Sequence, residues 1–570
     1  MDGDTHFDTI VVGSGFGGSV SAYRLAEGGQ RVCVLERGKA YPPESFPRRP
    51  REMAQNFWDP SRGLHGLFNI WSFRAIEAVV ASGLGGGSLI YANVLLRKDE
   101  HWFVNEDPFS GGYENWPITR ADLEPHYDEV ERMMGVQQYP LGSPGYDDTR
   151  KTLALREAAT ELGLEWQLPN LAVTFANEGA PPALGEAIPP GPYPNLHGPQ
   201  TLRTTCRLTG ECDLGCNFGS KNTLDHTYLS AAKHLGVDIR SRCEVKRFEP
   251  LRGGGFSVSY VEHTGDNEGR RTKTGKLPFV TITADRLVLA AGTLGSTYLL
   301  LRNRDSFPGI SDALGTRFCG NGDFLGFLLR SRGGTADHPT RRVLDGSRGP
   351  VITSTVRLPD AHDGTGGGRG GYIQDAGFPG FVDWMLETTT FPNASVRFLR
   401  FGLRRLWGRL ARSPQSDLSA EIAGLIGTTE LSAGSLPLLG MGRDTPDGVM
   451  SLRKGFLDVN WNMASSEAFF SPLRQTMKDI ADKLGATYKD NPLRTLKRLV
   501  TVHPLGGCPM GRHDGEGVVD AWGQAFNYPG LYVLDGAAIP GPVGPNPSLT
   551  IAAFADRAAL RILEGDRAQP

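Results

Sequence analysis

The sequence lacks the features that mark several large classes of protein. A basic excess is missing, since 60 Lys and Arg stand against 63 Asp and Glu, so nothing global indicates nucleic-acid binding. No stretch reaches ~18 consecutive apolar residues, so no membrane-spanning helix is predicted. The N-terminus has no basic segment and no twin arginine, which predicts no signal peptide and favours a cytoplasmic protein.

Cysteine is scarce as well, with seven in 570 residues. This odd count makes a poor disulfide framework and favours a reducing compartment. Cys206, Cys212 and Cys216 lie close together, but no fourth ligand lies beside them and their spacing is irregular for a zinc ribbon. We favour structural thiols and predict no metal site, with an iron–sulfur cluster or a disulfide pair left open.

Glycine is abundant, with 74 residues, and some of it forms a pattern with a physical use. The segment from Phe7 to Gly38 reads as a strand, a tight turn, a helix over 17–27 and a second strand. Gly13, Gly15 and Gly18 fit G-x-G-x-x-G at the turn, where the pyrophosphate of a dinucleotide lies at a helix N-terminus. Glu36 ends the second strand, where an acid bonds a ribose hydroxyl and disfavours a 2′-phosphate, so NAD or FAD is favoured over NADP.

Three distant stretches favour FAD over NAD. Residues 81–94 contain a second glycine loop, with Gly85, Gly86 and Gly87, whose backbone N–H groups can approach a ligand. Residues 286–300 read as a strand ending near Gly292 and then a helix. Residues 527–563 read as a strand ending at Asp535, an irregular Pro/Gly segment and a closing helix. Because a nicotinamide domain is usually contiguous, these dispersed pieces indicate a flavin domain.

Six motifs along the chain resemble those of the glucose–methanol–choline (GMC) flavoprotein oxidoreductases, and within them the cholesterol-oxidase-like branch. They are GSGFGG (13–18), GGGSLIYAN (85–93), WPI (116–118), LAAGTLGS (289–296), HPLGGCPMG (503–511) and YVLDGAAIPGPVGPNPSLTI (532–551). The resemblance implies an α/β fold, in which a Rossmann-like FAD-binding domain is interleaved with an α+β substrate domain built on a large mixed β-sheet. We place the FAD-binding domain at 1–130, 200–325 and 500–570, and the substrate-binding domain at 131–199 and 326–499.

The resemblance also enlarges the set of expected cofactor contacts. It adds Phe16, Gly17, Ser88, Asn93, Ala291, Gly536, Asn546 and Pro547 at matching motif positions, and Val245 outside the six motifs. In some members of the family a histidine near the second glycine loop bonds covalently to the flavin. Residues 85–94 contain no histidine, so we expect non-covalent FAD.

Alcohol oxidation requires a proton acceptor, and an imidazole suits this role because its ordinary pKa is near neutrality. His503 is the candidate. A second polar group should hold the substrate oxygen, and Asn546 lies between two prolines that restrict the backbone around it. The resemblance implies the same pair over the flavin. We also expect Gly506 and Gly507 to bring the backbone close under the flavin ring.

Two further predictions concern residues 396–412 and Glu430. Cholesterol oxidases use a glutamate to shift a double bond after oxidation, and Glu430 lies in the corresponding region, where the similarity is loose. Residues 396–412 predict a basic amphipathic helix with Leu and Trp on one face and Arg on the other. Such a helix suits peripheral docking on an anionic membrane, and equally suits packing on the substrate domain with its arginines in water.

We therefore predict an FAD-dependent enzyme that oxidises a secondary alcohol to a ketone by hydride transfer to flavin N5. The expected substrate is bulky and apolar, such as a 3β-hydroxysteroid, with double-bond isomerisation as a further step and oxygen or another acceptor taking the electrons. One alternative is a GMC oxidoreductase of a sugar or glycosylated natural product. Others are a flavin-fold lyase that uses His503 as a base, and a non-catalytic lipid-binding protein with a relic FAD site.

Overall fold

The computed structural model describes residues 5–106, 113–335, 338–360, 370–378, 434–491, 494 and 498–567. The α-helices are α1 (Phe16–Glu27), α2 (Pro50–Gln55), α3 (Arg120–Met133), α4 (Arg150–Leu162), α5 (Tyr228–His234), α6 (Thr293–Arg302), α7 (Glu467–Lys483) and α8 (Ser548–Arg567). The strands are β1 (His6–Val12), β2 (Val32–Leu35), β3 (Trp58–Asp59), β4 (Leu64–His65), β5 (Phe68–Ser72), β6 (Ile76–Ala81), β7 (Val104–Glu106), β8 (Tyr113–Asn115), β9 (Gln137–Gln138), β10 (Glu165–Gln167), β11 (Asn170–Leu171), β12 (Asp238–Arg240), β13 (Cys243–Pro250), β14 (Phe256–Glu262), β15 (Phe279–Leu289), β16 (Phe324–Leu329), β17 (Arg332–Thr335), β18 (His338–Arg341), β19 (Thr355–Arg357), β20 (Gly371–Asp375), β21 (Leu436–Gly442), β22 (Val449–Arg453), β23 (Phe456–Asn460), β24 (Thr487–Asp490), β25 (Leu499–Thr501) and β26 (Leu531–Val533).

A seven-stranded sheet in the order β12-β2-β1-β15-β14-β13, with β26 paired to the end of β15, carries the predicted dinucleotide motif. Strands β12, β2, β1, β15 and β26 run parallel, whereas β14 pairs antiparallel with β15, and β13 pairs antiparallel with β14. Because parallel strands end at the same edge, this sheet brings Gly13, Glu36, Gly292 and Asp535 to one crevice. Helix α1 packs against α8, and α8 packs in turn against α3.

A six-stranded sheet in the order β10-β19-β20-β21-β16-β24 combines β10 with five strands that lie between residues 324 and 490. The pairs described in it are all antiparallel, so the mixed pairing belongs to the first sheet. Side chains alternate between its faces, as the two-residue period of a strand requires. In β16, Phe324 and Leu328 belong to the core that includes residues of α4 and α7, whereas Leu325 and Phe327 line a cavity. One face of this sheet is therefore part of the core and the other is a cavity wall.

The fold class predicted from the sequence is confirmed. The helix predicted over 17–27 is α1, which begins one residue earlier, at Phe16. The domain boundaries stay a prediction, and β16 begins at Phe324, just before the proposed boundary at 325 and 326. Glu430 and the helix proposed for 396–412 lie outside the described residues. Among the helices within the described ranges, none is long and apolar enough to cross a bilayer.

Candidate active site

A cavity of about 800 Å³ is lined by the carboxyl edge of the first sheet and by one face of the second. Most of the predicted site residues line this cavity. They are Gly13, Gly15, Phe16, Gly17, Glu36, Gly86, Gly87, Val245, Ala291, Gly292, His503, Asp535, Gly536, Asn546 and Pro547. The fold therefore brings His503 and Asn546 to the same space as the glycine turns.

The glycines of the first turn have two distinct uses. A Cβ on Gly13 would lie 2.3 Å from the Ala290 carbonyl oxygen, and Gly13 has a φ of +101°, which favours glycine. A Cβ on Gly17 would lie 1.7 Å from the carbonyl oxygen of Leu534. A Cβ on Gly15 would meet nothing within 4 Å, and Gly15 lines the cavity. The first two glycines thus allow close packing of the turn and helix, while the third leaves space for a ligand at the N-terminus of α1, as a dinucleotide site requires.

Gly18, Gly85 and Ser88 do not line the cavity, and their contacts are with the protein itself. A Cβ on Gly18 would lie 2.0 Å from the carbonyl oxygen of Gly13. Gly85 has a φ of +113° and donates its N–H to Ser14 Oγ at 3.0 Å. Ser88 Oγ donates to the Gly85 carbonyl at 2.7 Å. These residues shape the two glycine loops and fix one loop to the other.

Asn93 is also absent from the cavity lining, although its neighbours Ala92 and Val94 are part of it. It is fully buried with a φ of +69°, and its carbonyl accepts from the Ala172 N–H at 2.8 Å. Neither polar atom of its side chain has a hydrogen-bond partner among the described residues. A buried amide without a partner is costly, so this position has capacity for a bound polar group or water.

Glu36 lies at the end of β2 and is 6% exposed. Its Oε2 accepts from Ser14 N at 3.0 Å and from Ser14 Oγ at 2.6 Å, and its Oε1 accepts from Gly38 N at 2.8 Å. The carboxylate therefore holds the first glycine turn, a role that sequence analysis did not predict. Because each carboxylate oxygen has two lone pairs, Oε1 keeps acceptor capacity for a ribose hydroxyl.

Asp535 follows β26 and reaches back to the neighbouring strand end. Its Oδ2 accepts from Gly292 N at 2.8 Å and from Ser296 Oγ at 2.6 Å, and its Oδ1 accepts from Ala537 N at 2.8 Å. Burial raises the pKa of Asp535 to about 6. The carboxyl thus closes the turn after β15 while facing the cavity.

His503 lies two residues after β25, and its orientation is set by Asp323, which directly precedes β16. Its Nδ1 lies 2.7 Å from Asp323 Oδ1. Asp323 Oδ2 accepts from Val502 N at 2.8 Å, from His503 N at 3.1 Å and from Thr501 Oγ1 at 2.9 Å. An ionised carboxylate can only accept, so this contact places the ring proton on Nδ1. Nε2 has no partner among the described residues and is left as an acceptor.

Asn546 is held from two sides by residues that sequence analysis missed. Gln374, on β20, donates from Nε2 to Asn546 Oδ1 at 2.9 Å. Asn321 donates from Nδ2 to the Pro545 carbonyl at 3.0 Å, and its Oδ1 accepts from the backbone N–H of Val543 and Gly544 at 2.8 and 3.0 Å. Asn546 Nδ2 donates back to Gln374 Oε1 at 3.5 Å, which leaves its second amide N–H as the donor for the cavity.

The glycines of 503–511 do not line the cavity, contrary to our expectation that they approach the flavin ring. Gly506 has a φ of +85°, and a Cβ there would lie 1.9 Å from the Arg317 carbonyl oxygen. A Cβ on Gly507 would lie 2.3 Å from Thr297 Oγ1. These glycines allow close packing behind His503.

Asp213 is a further titratable group on the cavity wall, and sequence analysis did not single it out. It lies in the single 3₁₀ turn Cys212–Leu214, inside the cysteine-rich stretch. Burial raises its pKa to about 6.

All seven cysteines are free thiols. Within the described residues, one group of three His, Cys, Asp or Glu side chains has all its ligand atoms within 4.8 Å of one another, namely His197, Asp225 and His226, and no cysteine belongs to it. His197 Nε2 lies 2.6 Å from Asp225 Oδ2, and His226 Nδ1 lies 3.0 Å from Asn195 Nδ2. These side chains bond to the protein and do not line the cavity.

Comparison with known proteins gives family matches in three parts of the chain and relatives that cover nearly all of it. Models described as GMC oxidoreductase match residues 199–304 and 444–555, and one described as FAD binding domain matches 8–42. A cholesterol oxidase from Mycobacterium tuberculosis is 32% identical over 566 residues, which cover 97% of this chain and 90% of that protein. Paromamine 6′-oxidase from Streptomyces fradiae is 25% identical over 577 residues, which cover 98% of this chain and 92% of that protein.

A solved structure of a fungal aryl-alcohol oxidase superposes with a TM-score of 0.57 at 14% identity, covering 99% of this chain and all of that one, which shows a shared fold. The glycine turns, the strand-end acids and the cavity at the sheet edge fit FAD. The chain therefore belongs to the GMC oxidoreductase family and is an FAD-dependent alcohol oxidoreductase.

Proposed function

We propose that this enzyme oxidises the secondary alcohol of a bulky apolar substrate to a ketone, with a 3β-hydroxysteroid as the leading candidate. The observation that carries the proposal is the hydrocarbon wall of the cavity, formed by Leu325, Phe327, Val351, Ile352, Pro437 and Leu439. A sugar would leave many hydroxyl groups without partners against such a wall, at a cost for each one. The 32% identity to a cholesterol oxidase supports the same substrate class.

In this proposal His503 accepts the hydroxyl proton. Its side chain is 16% exposed and borders the cavity, and Nε2 carries the free lone pair because Asp323 fixes the proton on Nδ1. Once Nε2 takes up the proton, the imidazolium lies against a carboxylate that is 2% exposed, and this ion pair stabilises the charge.

Asn546 holds the substrate oxygen. Gln374 engages its Oδ1 and accepts one of its amide N–H groups, so the second N–H is the donor available to a hydroxyl or carbonyl oxygen in the cavity. Such a donor fixes the carbinol carbon in place and favours the more polar carbonyl product. Bound FAD supplies the hydride acceptor, flavin N5, and so completes the removal of one hydride and one proton from the alcohol.

The test is anaerobic reduction of the flavin, followed by loss of absorbance at ~450 nm, with a panel of sterols, long-chain alcohols and sugars. We expect sterols to bleach the flavin at the lowest concentrations. Bleaching by sugars alone would overturn the apolar substrate and favour the paromamine 6′-oxidase-like alternative. Conversion of substrate without bleaching would favour the lyase alternative.

His503→Gln is expected to retain FAD and to reduce the flavin roughly 10²- to 10⁴-fold more slowly, the usual contribution of a general base. Full turnover by this variant would remove His503 as the proton acceptor. The proposal ends at the ketone, since Glu430, the residue suggested for a later double-bond shift, lies outside the described residues.

A further inference from the structure

The cavity wall contains two carboxylates that neither the proposed chemistry nor the expected cofactor contacts use, Glu244 and Asp213. Glu244 is paired, since its Oε2 lies 2.7 Å from His263 Nε2 and its Oε1 lies 2.5 Å from Lys246 Nζ. Asp213 lies in the 3₁₀ turn Cys212–Leu214 and lines the same cavity as His503 and Asn546. Among the described residues it has neither a hydrogen bond nor an ion pair. Carboxylates facing an apolar cavity are normally paired, so one without a partner indicates a group supplied from outside the chain.

The two nearby lysines do not provide this partner. Lys221 Nζ donates to the carbonyl oxygens of Leu89, Tyr91 and Cys212 at 3.1, 2.8 and 2.8 Å, which uses all three of its protons. Lys151 Nζ donates to the carbonyl oxygens of Pro350 and Val351 at 2.7 and 2.6 Å. Both cations hold backbone segments in place and act on Asp213 only through their charge.

The charge state of Asp213 follows from its surroundings. Burial raises its pKa to about 6, while the charges of Lys221 and Lys151, and that of His503 when it is protonated, favour the ionised form. Near neutral pH the carboxylate is therefore mostly ionised. A substrate that covers it with hydrocarbon removes water from a charge, whereas one that offers an N–H or O–H group restores a hydrogen bond.

We propose that Asp213 forms a second polar subsite that selects apolar alcohols carrying a further hydrogen-bond donor, a hydroxyl or a protonated amino group, apart from the carbinol that reacts. The substrate is then held at two polar points of one hydrocarbon-walled cavity, with its reacting hydroxyl at His503 and Asn546 and its second donor at Asp213. This inference rests on the proposed function and narrows its substrate class.

The test compares matched alcohols on one apolar skeleton: a sterol or long-chain secondary alcohol, its hydroxylated analogue and its amino analogue. Wild-type enzyme is expected to prefer the donor-bearing analogues in kcat/KM at pH 8. Asp213→Asn is expected to lower that preference about 10-fold for the hydroxyl analogue, whose donor an amide oxygen still accepts. For the amino analogue, the substitution also removes the carboxylate charge that attracts the ammonium group, so the expected reduction is roughly 100-fold.

The matched control is Glu211→Gln, which removes a carboxylate at the start of the same turn. Glu211 accepts from Arg48 at 3.0 Å and does not line the cavity, so this variant is expected to keep the wild-type preference. A second readout needs no turnover. Dissociation constants of the same alcohols can be measured from the absorbance change of oxidised flavin in the His503→Gln enzyme, with and without Asp213→Asn. They are expected to show the same loss of preference for the donor-bearing analogues.

The pH dependence of the wild-type enzyme keeps the proposal testable if Asp213→Asn fails to fold. Because the carboxylate accepts only when ionised, the ratio of kcat/KM between the hydroxyl analogue and its parent is expected to rise from pH 5 to pH 7 and then level off. A ratio that is flat across this range overturns the subsite.

Other outcomes also overturn it. The first is an unchanged preference in Asp213→Asn, and the second is a wild-type enzyme that prefers the parent alcohols at pH 8. The third is a loss of FAD and a shifted flavin spectrum in Asp213→Asn with equal effects on all alcohols, which would assign Asp213 to the cofactor. Failure of the proposed function looks different, because no apolar alcohol of any kind then reduces the wild-type flavin.

Discussion

Replacing Asp323 with asparagine is expected to disable His503 as a proton acceptor while leaving the fold intact. Oδ2 of Asp323 accepts from three donors, Thr501 Oγ1, Val502 N and His503 N, at 2.9, 2.8 and 3.1 Å. These donors require an oxygen at that position, so the new amide nitrogen must take the place of Oδ1, which lies 2.7 Å from His503 Nδ1. An amide N–H₂ group donates, so Nδ1 becomes the acceptor and the ring proton moves to Nε2. The lone pair facing the substrate is then lost.

The expected size of this effect is that of general-base catalysis, roughly 10² to 10⁴ in rate, or about 3 to 5.5 kcal/mol in activation free energy. KM is expected to change little, because Asp323 is 2% exposed and bonds to residues 501–503. FAD content is expected to match that of the wild-type enzyme for the same reason.

The assay is anaerobic stopped-flow reduction of the flavin at saturating alcohol, with FAD content and melting temperature measured on the same preparations. Thr501→Val is the matched control, since it removes one partner of Asp323 Oδ2 and keeps the carboxylate against Nδ1. We expect less than a tenfold loss in this control. Flavin reduction by Asp323→Asn within about threefold of wild type would refute the tautomer argument.

Three further predictions concern the cofactor turn, the oxygen-binding group and a buried acid. Gly17→Ala is expected to lower the melting temperature of the apoprotein, because its Cβ would lie 1.7 Å from the Leu534 carbonyl oxygen. Gly15→Ala, whose Cβ would meet nothing within 4 Å, is expected to fold normally and to lose FAD on gel filtration. Asn546→Ala is expected to slow flavin reduction by roughly 10²- to 10³-fold at an unchanged flavin spectrum, and an unchanged rate would contradict its role. Burial raises the pKa of Asp444 from 3.8 to about 7, so the folded apoprotein binds a proton that the unfolded chain has lost, and stability falls as pH rises from ~4 to ~7. Asp444→Asn is therefore expected to raise the melting temperature more at pH 8 than at pH 5, because the cost of ionising Asp444 in the folded protein reaches roughly 4 kcal/mol at pH 8. An equal gain in melting temperature at both pH values would contradict this.

Much of the cofactor half can be predicted from sequence because its signals are local. The turn from Gly13 to Gly18 combines a strand, a helix start and a close backbone approach within a few residues, and α1 matches the predicted helix to within one residue. The strand-end acids Glu36 and Asp535 follow from the same local reading. Their internal hydrogen bonds do not, because these depend on which strands become neighbours in the sheet.

The residues that position the catalytic candidates give no such signal. Asp323 contacts a histidine 180 positions later, Gln374 an asparagine 172 positions later, and Asn321 a loop 222 to 224 positions later. Nothing in the sequence near His503 or Asn546 identifies these partners, since hydrogen bonding across such separations is set by the tertiary fold. Asp213 gives no signal for a different reason, because it lies between Cys212 and Cys216, where the residue pattern is that of potential metal ligands.

The segment from Gly320 to Asp323 connects the two catalytic candidates. Asn321, with a φ of +55°, holds the loop that leads to Asn546, and Asp323, two residues later, holds His503. Gly322 between them has a φ of +66°, and a Cβ there would lie 2.6 Å from Gly442 N, so the turn is fixed against β21. The chain then enters β16, whose Leu325 and Phe327 form part of the hydrocarbon wall. One short turn thus places a proton acceptor, an oxygen-binding amide and the apolar wall in a fixed relation, which is the pre-organisation that hydride transfer from a bound alcohol requires.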